Sequence, residues 1–423
     1  MNYFTVNDLK KIFFEYFVNE CGFKKIPDYS LVPKTDNSVL FTPAGMHPLI
    51  PYLIGEHKHP MGNKLVNVQR VVRTGAINRV GDDFFLTFFE LFGAWITNEY
   101  SKEDILAKVL QFITSELYLD IPKEQIYITY FAGNQLLGKD TDTLMAWEKN
   151  GIDKEHLCPT TKNWKGPYSK RNICGPNTRI YYDTNKEKCS PDCNVQCNCG
   201  KYVELWDIVF FDYILQENEI RENPNACIDM GAGVERMATL VQDTPTIYET
   251  DELKRIVNVI ENLEKNSHFM NDGESLRKRR IIADHLRCAC FIVGDETATL
   301  PSNKGRGYVL RKIIRRAINN LDQIGLDLYS YKLIIAQIIE LYSLNYPLLN
   351  KKKEYIIDQL SAEYHMYKLN LEKNILYVKK YLCNKEDISN DETKMLYDRY
   401  GVPINIIRDI VDKNKILDGE MEK

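Results

Sequence analysis

Between Val66 and Trp95 the chain reads VNVQRVVRTGAINRVGDDFFLTFFELFGAW, two runs rich in β-branched and aromatic residues on either side of a polar, glycine-bearing loop. Such runs suit a pleated, half-buried surface, and the loop lets the second fold back on the first, so the stretch predicts an antiparallel strand pair. Arg73 ends the first run directly before Thr74 and Gly75. A permanently charged fork of donors then stands where backbone bends close to a ligand, an arrangement suited to phosphate. A lone strand-end arginine is more often a surface residue, so the phosphate reading needs company.

That company is CIDMGAGVERMATLVQ, Cys227 to Gln242. A short apolar strand ends at Asp229, two glycines follow, and a helix carrying Arg236 begins. Together the two stretches resemble motifs 2 and 3 of the class II aminoacyl-tRNA synthetases, in the wording of the alanyl-tRNA synthetase family, and the likeness covers nearly the whole chain. It implies an α+β fold. An antiparallel sheet flanked by helices would occupy residues 1–245 as the aminoacylation domain, and residues 246–423 would form an all-helical acceptor-stem recognition domain.

A chain of 423 residues exceeds what one compact core usually holds, in keeping with two domains. Its 44% hydrophobic and 27% charged content is that of a globular protein and excludes wholesale disorder. The net charge of −4 excludes nucleic-acid binding through overall charge, so any such contact needs local basic patches. Met1 to Lys11 has no signal-peptide apolar core and no run of about eighteen apolar residues occurs, which predicts a cytoplasmic protein with no membrane partner. Eleven cysteines, an odd number, point to thiols or metal ligands over a disulfide framework.

Along the chain, Asn7 to Glu20 spaces apolar residues at helical intervals behind a capping Asn7 and should lie against the sheet. Leu31 to Leu53 resembles the family segment around FTxAGM that contributes to motif 1. Phe85 to Trp95 is the second strand of the opening pair, Ser101 to Leu119 a serine-capped helix, and Ile126 to Phe131 a strand. Asp140 to Arg179 reads mostly as loop, and Val203 to Leu215, apolar on both faces, as a central strand. From Thr250 the chain is helical, interrupted by a polar linker at Lys265 to Glu274 and by turns near Pro301 and Pro347.

Amino-acid activation joins a carboxylate to the α-phosphate of ATP, two mutually repelling anions. The protein must position them and neutralise charge, and no catalytic base is required. By resemblance, Arg73 contacts the α-phosphate and Arg236 lies near the γ-phosphate, with Phe85 in the ATP site and Mg2+ accompanying the nucleotide. Asp229 matches the aspartate that holds the substrate ammonium, and Gly231 lets backbone approach the amino acid. Leu91, Trp164, Asp207 and Val209 match positions around a small amino acid, alanine; their other reading is core packing. Asp207 stands where an Asn is usual, Arg179 where a Glu is usual, and Ala76 to Arg79 replaces an acidic loop. These departures alter the field where substrate, ATP and metal meet. They leave two alternatives to alanine–tRNA ligation: a paralogue passing the activated amino acid to a peptide, carrier or metabolite, and an inactive tRNA-binding pseudo-synthetase. The presence of Arg73, Arg236 and Asp229 favours the enzyme.

The run CSPDCNVQCNCG places Cys189, Cys193, Cys197 and Cys199 on one short loop. Four soft ligands suit a tetrahedral structural zinc, although the spacing is not a double CxxC, and four incidental thiols are the other reading. Cys288 and Cys290 read as core. From Thr297 to Leu321 there is no acidic residue, and Arg311, Lys312, Arg315 and Arg316 fall together on the helix VLRKIIRRAI. PSNKGRGYVL and LYDRYGVP match family motifs whose Asn and Asp read a G·U pair in the tRNA acceptor stem; those residues are Asn303 and Asp398, with Arg311 and Arg315 supplying phosphate contacts. Alternatively, Asn303 caps a helix and Asp398 holds a turn. The family's editing motifs HxxxH and CxxxH are missing from this sequence, so a stand-alone, monomeric activation and acceptor-stem module is expected.

Overall fold

The computed structural model describes residues 3–33, 39–98, 100–264, 273–383, 385 and 387–421, with backbone alone at 398 and 413–421. Helix α1 (Val6–Phe14) begins at Thr5, whose hydroxyl accepts from the Asp8 amide while the Asp8 carboxylate accepts from the Thr5 amide. This capping box, and not Asn7, starts the helix, because Thr5 is the last residue with extended backbone. From Glu15 to Glu20 the coil widens into a π-helical segment. Leu9, Phe13 and Phe17 are buried in the core beneath the sheet.

The strands are β1 (Lys24–Lys25), β2 (Lys64–Val72), β3 (Phe88–Thr97), β4 (Ile126–Phe131), β5 (Leu157–Thr160), β6 (Trp164–Tyr168), β7 (Ile173–Asp183), β8 (Tyr202–Gln216) and β9 (Glu219–Gly233). They form one sheet in the order β1-β2-β3-β9-β8-β7-β4-β5, with β6 paired to β7. The centre is antiparallel, whereas β1–β2 and β4–β5 pair in parallel, so the sheet is mixed at its margins. The β2–β3 pair is the predicted one, with Val66 opposite Ala94 and Val72 opposite Phe88. Phe85 and Leu86 stand in the preceding loop and not in the strand.

Helix α2 (Ile50–Leu53) precedes β2, and α3 (Lys102–Thr114) is capped by Ser101 accepting from the Asp104 amide. The stretch from Asp140 to Arg179 is not mostly loop. It holds α4 (Thr141–Lys149), β5, β6 and the start of β7. Asp140 caps α4 by accepting from the Thr143 amide. Short strands broken by Pro, Gly and Asn carry too few residues for a period to emerge, which is why the sequence reads as irregular there. Helix α5 (Val234–Val241) follows β9 directly.

Period-two alternation divides the central strands between two faces. Phe92, Ala94 and Ile96 of β3, Ile208 and Phe210 of β8, and Ile228, Met230 and Ala232 of β9 enter the larger core with α1, α3 and α5. Trp95, Val209, Phe211 and Cys227 face the other way and pack with Leu49 and Leu53. Burying one such side chain contributes about 1.5–3 kcal/mol, so a one-residue register slip in any of these strands would expose a whole set.

The chain divides into two compact units, Met1–Val257 and Asn258–Lys423. The division falls inside α6 (Asp251–Glu264), beyond residue 245. The second unit contains α7 (Gly273–Gly294), α8 (Gly305–Gln323), α9 (Leu328–Tyr342), α10 (Pro347–Lys351), α11 (Lys353–Leu382), α12 (Asn390–Tyr400) and α13 (Ile404–Met421), and no strand among its described residues. Cys288 and Cys290 are fully buried in α7. Pro347 opens α10, where its missing N–H costs no helical bond. Most of the polar linker, residues 265–272, lies outside the described residues, and Gly273 and Glu274 already belong to α7. Among the described residues no helix is long and apolar enough to cross a membrane.

Candidate active site

A cavity of about 560 Å³ opens on the face of β3, β9 and β8 turned away from α1 and α3. Alternation and register assemble its floor. Trp95, Asp229 and Val209 lie in one row across the three strands, and Gly93, Gly231 and Asp207 in the next, with Leu91 beside Gly233 beyond them. A methyl group on Gly93 would lie 2.1 Å from Trp95 Cη2, so only glycine lets the indole lie flat over the strand. Thus placed, Trp95 Nε1 donates to Asp229 Oδ1 at 2.7 Å.

Asp229 keeps part of its surface open to the cavity, yet protein walls it on every other side. Burial pushes its pKa up to about 7; the Trp95 hydrogen bond opposes this, Asp207 adds to it, and Lys165 and Arg73 oppose it. Among the cavity's carboxylates, Asp229 is therefore poised to gain a cation.

The opposite end of the cavity is cationic. Arg73 follows β2, its amide donating to Thr87 O at 2.8 Å, its Nε donating to Pro43 O at 2.7 Å, and its guanidinium lying 5.1 Å from the centre of the Phe89 ring. Arg73 is exposed at the cavity, and partial desolvation by the protein around it, and next the neighbouring Arg236, lower its pKa from its ordinary value. Arg236, in the first turn of α5, donates to the Glu204 carbonyl at 3.4 Å and stands 3.8 Å from its carboxylate. Arg179 of β7 lies 3.8 Å from the other Glu204 oxygen and 3.5 Å from Asp207. Phe85 lines the cavity from the loop before β3. Its carbonyl accepts from the Tyr248 hydroxyl at 2.8 Å, and the Arg79 guanidinium lies 3.7 Å from its ring centre.

Leu91, Asp207, Val209, Asp229, Gly231, Arg73, Phe85 and Arg236 thus share one cavity. Trp164 does not line it. Its ring packs 5.2 Å from Phe131 and 6.4 Å from Tyr213, on the side of β6 opposite Lys165, and Lys165 is the residue that lines the cavity. Asp207 lines the cavity with partners of its own: Oδ1 accepts from Asn177 Nδ2 at 2.5 Å, and Oδ2 faces Lys165 Nζ at 3.0 Å and Arg179 Nε at 3.5 Å. Trp95, Gly93, Lys165 and Glu204 escaped the sequence reading. Alternation from Leu91 pointed to Gly93 and Trp95, but Lys165 fell in a stretch read as loop.

The cysteine loop joins β7 to β8. Sγ of Cys189 lies 3.5 Å from that of Cys197, Sγ of Cys193 lies 3.6 Å from that of Cys199, and all four lie within 4.8 Å of one another. A tetrahedron of zinc–thiolate bonds of about 2.3 Å separates its sulfurs by about 3.8 Å, so the spacing fits the ion. The loop is anchored to the sheet by the Thr184 hydroxyl, which donates to Gly200 O and Lys201 O, and by Lys201 Nζ on Asp183 at 2.9 Å.

The expected cationic face of α8 is largely paired within its own unit. Arg311 and Arg315 reach Glu363 of α11 at 3.3 and 2.8 Å, and Arg311 also donates to Asn303 Oδ1. Arg316 donates to His285 Nε2 at 2.8 Å, which leaves Lys312 as the exposed member of the four. A pattern of charge gives a helix face but not the carboxylate that a distant helix sets against it, here 5% exposed. Asn303 does not cap α8; Lys304 occupies that position without a side-chain bond. The side chain of Asp398, in α12, lies outside the described residues. Arg315→Ala should therefore destabilise the helical unit by about 1–3 kcal/mol, read by denaturant unfolding, because it strips a charged hydrogen bond from a buried acid.

The family model described as tRNA synthetases class II (A) matches residues 8–420, and the chain belongs to that family. Its curated relatives include the alanine–tRNA ligase of Borrelia hermsii, 39% identical over 411 residues, which cover 96% of this chain and 69% of the relative. The alanine–tRNA ligase of Treponema denticola is 38% identical over 418 residues, 97% of this chain and 69% of the relative. Among solved structures, a putative threonyl-tRNA synthetase from Aeropyrum pernix aligns over 62% of this chain and 69% of its own at 12% identity, with a TM-score of 0.38.

Proposed function

We propose that the chain activates alanine with ATP and esterifies it to the 3′ end of tRNA. The observation that carries this reading is the polarity of one cavity. Asp229, held by Trp95, offers an anion to an ammonium, and Arg73 and Arg236 offer cations to phosphates. The alanine carboxylate, already an anion, attacks the α-phosphorus, and the bond to the β-phosphate oxygen breaks as pyrophosphate leaves. Arg73 neutralises charge at the α-phosphate and Arg236 holds the far end of the triphosphate. The adenylate carbonyl is then attacked by a ribose hydroxyl of the tRNA, releasing AMP. Leu91, Val209 and Trp95 line the cavity around Asp229 and are the apolar walls against which the methyl group of alanine would rest. Mg2+ binds through few carboxylates together with substrate phosphates, and Glu204, only 3.8 Å from each of two guanidiniums, is the loosely held oxygen donor that fits it. Arg73, Arg236 and Asp229 in one cavity favour this reading over a pseudo-synthetase. ATP–pyrophosphate exchange screened over all amino acids, followed by tRNA charging, tests it; absence of alanine-dependent exchange would overturn it.

In the same reading the cysteine loop holds one structural zinc, with all four positions filled by Cys189, Cys193, Cys197 and Cys199. Protein purified without chelator should contain one zinc per chain by elemental analysis, and metal removal should lower the thermal midpoint, since binding energy to a preformed fold is folding energy. Well under one metal per chain would refute it. For the tRNA, Arg311 takes the carbonyl oxygen of Asn303, so the amide nitrogen is the donor left for a base edge in the wide minor groove of an RNA stem. Asn303→Ala should erase preference for a stem with a G·U pair while leaving binding to other stems in place. Equal binding of G·U and G·C stems by the unmodified protein at fixed salt would sink this assignment.

A further inference from the structure

Asp207 and Lys165 form a device that the activation chemistry above leaves without a role. Both Asp207 oxygens already have partners, Oδ1 in Asn177 and Oδ2 in Lys165 with Arg179 nearby, so much of the carboxylate's acceptor capacity is spent within the protein before a substrate ammonium arrives. Lys165 differs. Among the described residues its one polar partner is Asp207, at 3.0 Å, and an ammonium has three N–H donors, so two remain for the cavity that Lys165 lines.

The position of Lys165 is built into the backbone. Immediately after it, β6 departs from its register with β7. There Gly166 has a φ of +88°, and a methyl group on it would lie 2.4 Å from Ile173 O. Only glycine lets β6 approach β7 this closely, which holds the Lys165 stem over Asp207. Lys165 is close enough to Asp229 to favour its charged form through space. A cation anchored by one acid thus stands near a second acid that is open to the cavity.

A free α-amino acid carries complementary charges on one carbon, an ammonium and a carboxylate. Asp229 supplies the acceptor for the first. Arg73, stacked on Phe89 and bonded to Pro43 O, is committed to the phosphate end. We propose that Lys165, oriented by Asp207, contacts the α-carboxylate of the incoming amino acid and makes the cavity selective for the zwitterion over amines that lack the carboxylate. In this role Asp207 is a positioning residue acting through Lys165, and not a ligand of the amino group. The proposal rests on the alanine-activation reading.

Lys165→Met keeps the length of the side chain and removes its charge. The experiment, run at pH 8.5 so that Asp229 stays ionised with or without Lys165, measures KM for alanine and for ATP in pyrophosphate exchange, together with the inhibition constant of alaninol, which retains the ammonium and methyl group but has a hydroxymethyl in place of the carboxylate. The expected result is an alanine KM raised by about 10- to 100-fold, the loss of one charge-assisted hydrogen bond, with the ATP KM and the alaninol constant each within about twofold of the unmodified protein. Lys165→Gln, which leaves Asp207 a neutral donor, should give the same split and serves if the methionine variant does not fold, as judged by its thermal midpoint. An unchanged alanine KM overturns the proposal. So does equal weakening of alanine and alaninol, which would mean that Lys165 only holds the pocket together. Absence of alanine-dependent exchange in the unmodified protein would instead overturn the activation reading.

Discussion

Arg73→Ala lowers kcat for alanine-dependent pyrophosphate exchange by about 100- to 1,000-fold, the range expected when one preorganised donor is removed from charge developing in a transition state. The backbone of Arg73 is pinned by the amide on Thr87 O, and its guanidinium by the Nε bond to Pro43 O and the contact with the Phe89 ring, so it reorganises little as the α-phosphate becomes pentacoordinate. Arg236→Ala should behave differently. Arg236 rests on Glu204, 3.4 Å from its carbonyl and 3.8 Å from its carboxylate, with no bond as short as that of Arg73 to Pro43 O, a looser setting suited to binding the triphosphate tail in ground and transition states alike. Its loss should mainly raise the ATP KM, by about 10- to 100-fold. Arg73→Lys should recover little, since a single ammonium cannot reproduce the fork that holds Pro43 O and still faces phosphate. Exchange kinetics unaltered by either alanine substitution would remove both residues from the ATP site.

What could be read from the sequence follows the length and regularity of each element. β2, β3 and β8 carry long alternating or apolar runs, and the Ser101 cap with Asp104 marks the start of α3, so each was legible. The region of α4, β5 and β6 was not, because elements of nine, four and five residues give a period too little room. That loss carried over to the site. Lys165 lies on β6, and without the strand nothing in the sequence marks it as the partner of Asp207, a position that the family resemblance places beside the amino acid. Arg311 and Arg315 illustrate a different limit. Their spacing fixed a shared helix face, but Glu363, on another helix, decides that this face is an internal ion pair.

Asp229 yields the second large effect. With its pKa near 7, the carboxylate is mostly protonated at pH 6 and mostly ionised at pH 8. Only the ionised form attracts an ammonium, and alanine keeps its ammonium over this range. The alanine KM should therefore fall about tenfold between pH 6 and pH 8, while the ATP KM changes little. Binding alanine stabilises the ionised form, so near pH 7 it should release a fraction of a proton, measurable by calorimetry in buffers of differing ionisation enthalpy. Asp229→Asn should raise the alanine KM by about 100-fold, flatten that pH profile and abolish the proton release. Stability moves in the opposite direction. A carboxyl whose folded pKa lies above its unfolded value near 3.8 binds its proton more tightly in the folded state, so its contribution is fully present below about pH 4 and is lost as pH rises through 7. The asparagine variant escapes this loss and can still accept from Trp95. It should be more stable than the unmodified protein at pH 8, by about 1–3 kcal/mol after allowance for the open side of the cavity, and the advantage should shrink towards pH 4. A variant that bound alanine poorly yet gained no stability at pH 8 would separate the two effects and place the cost of burying this charge elsewhere in the cavity.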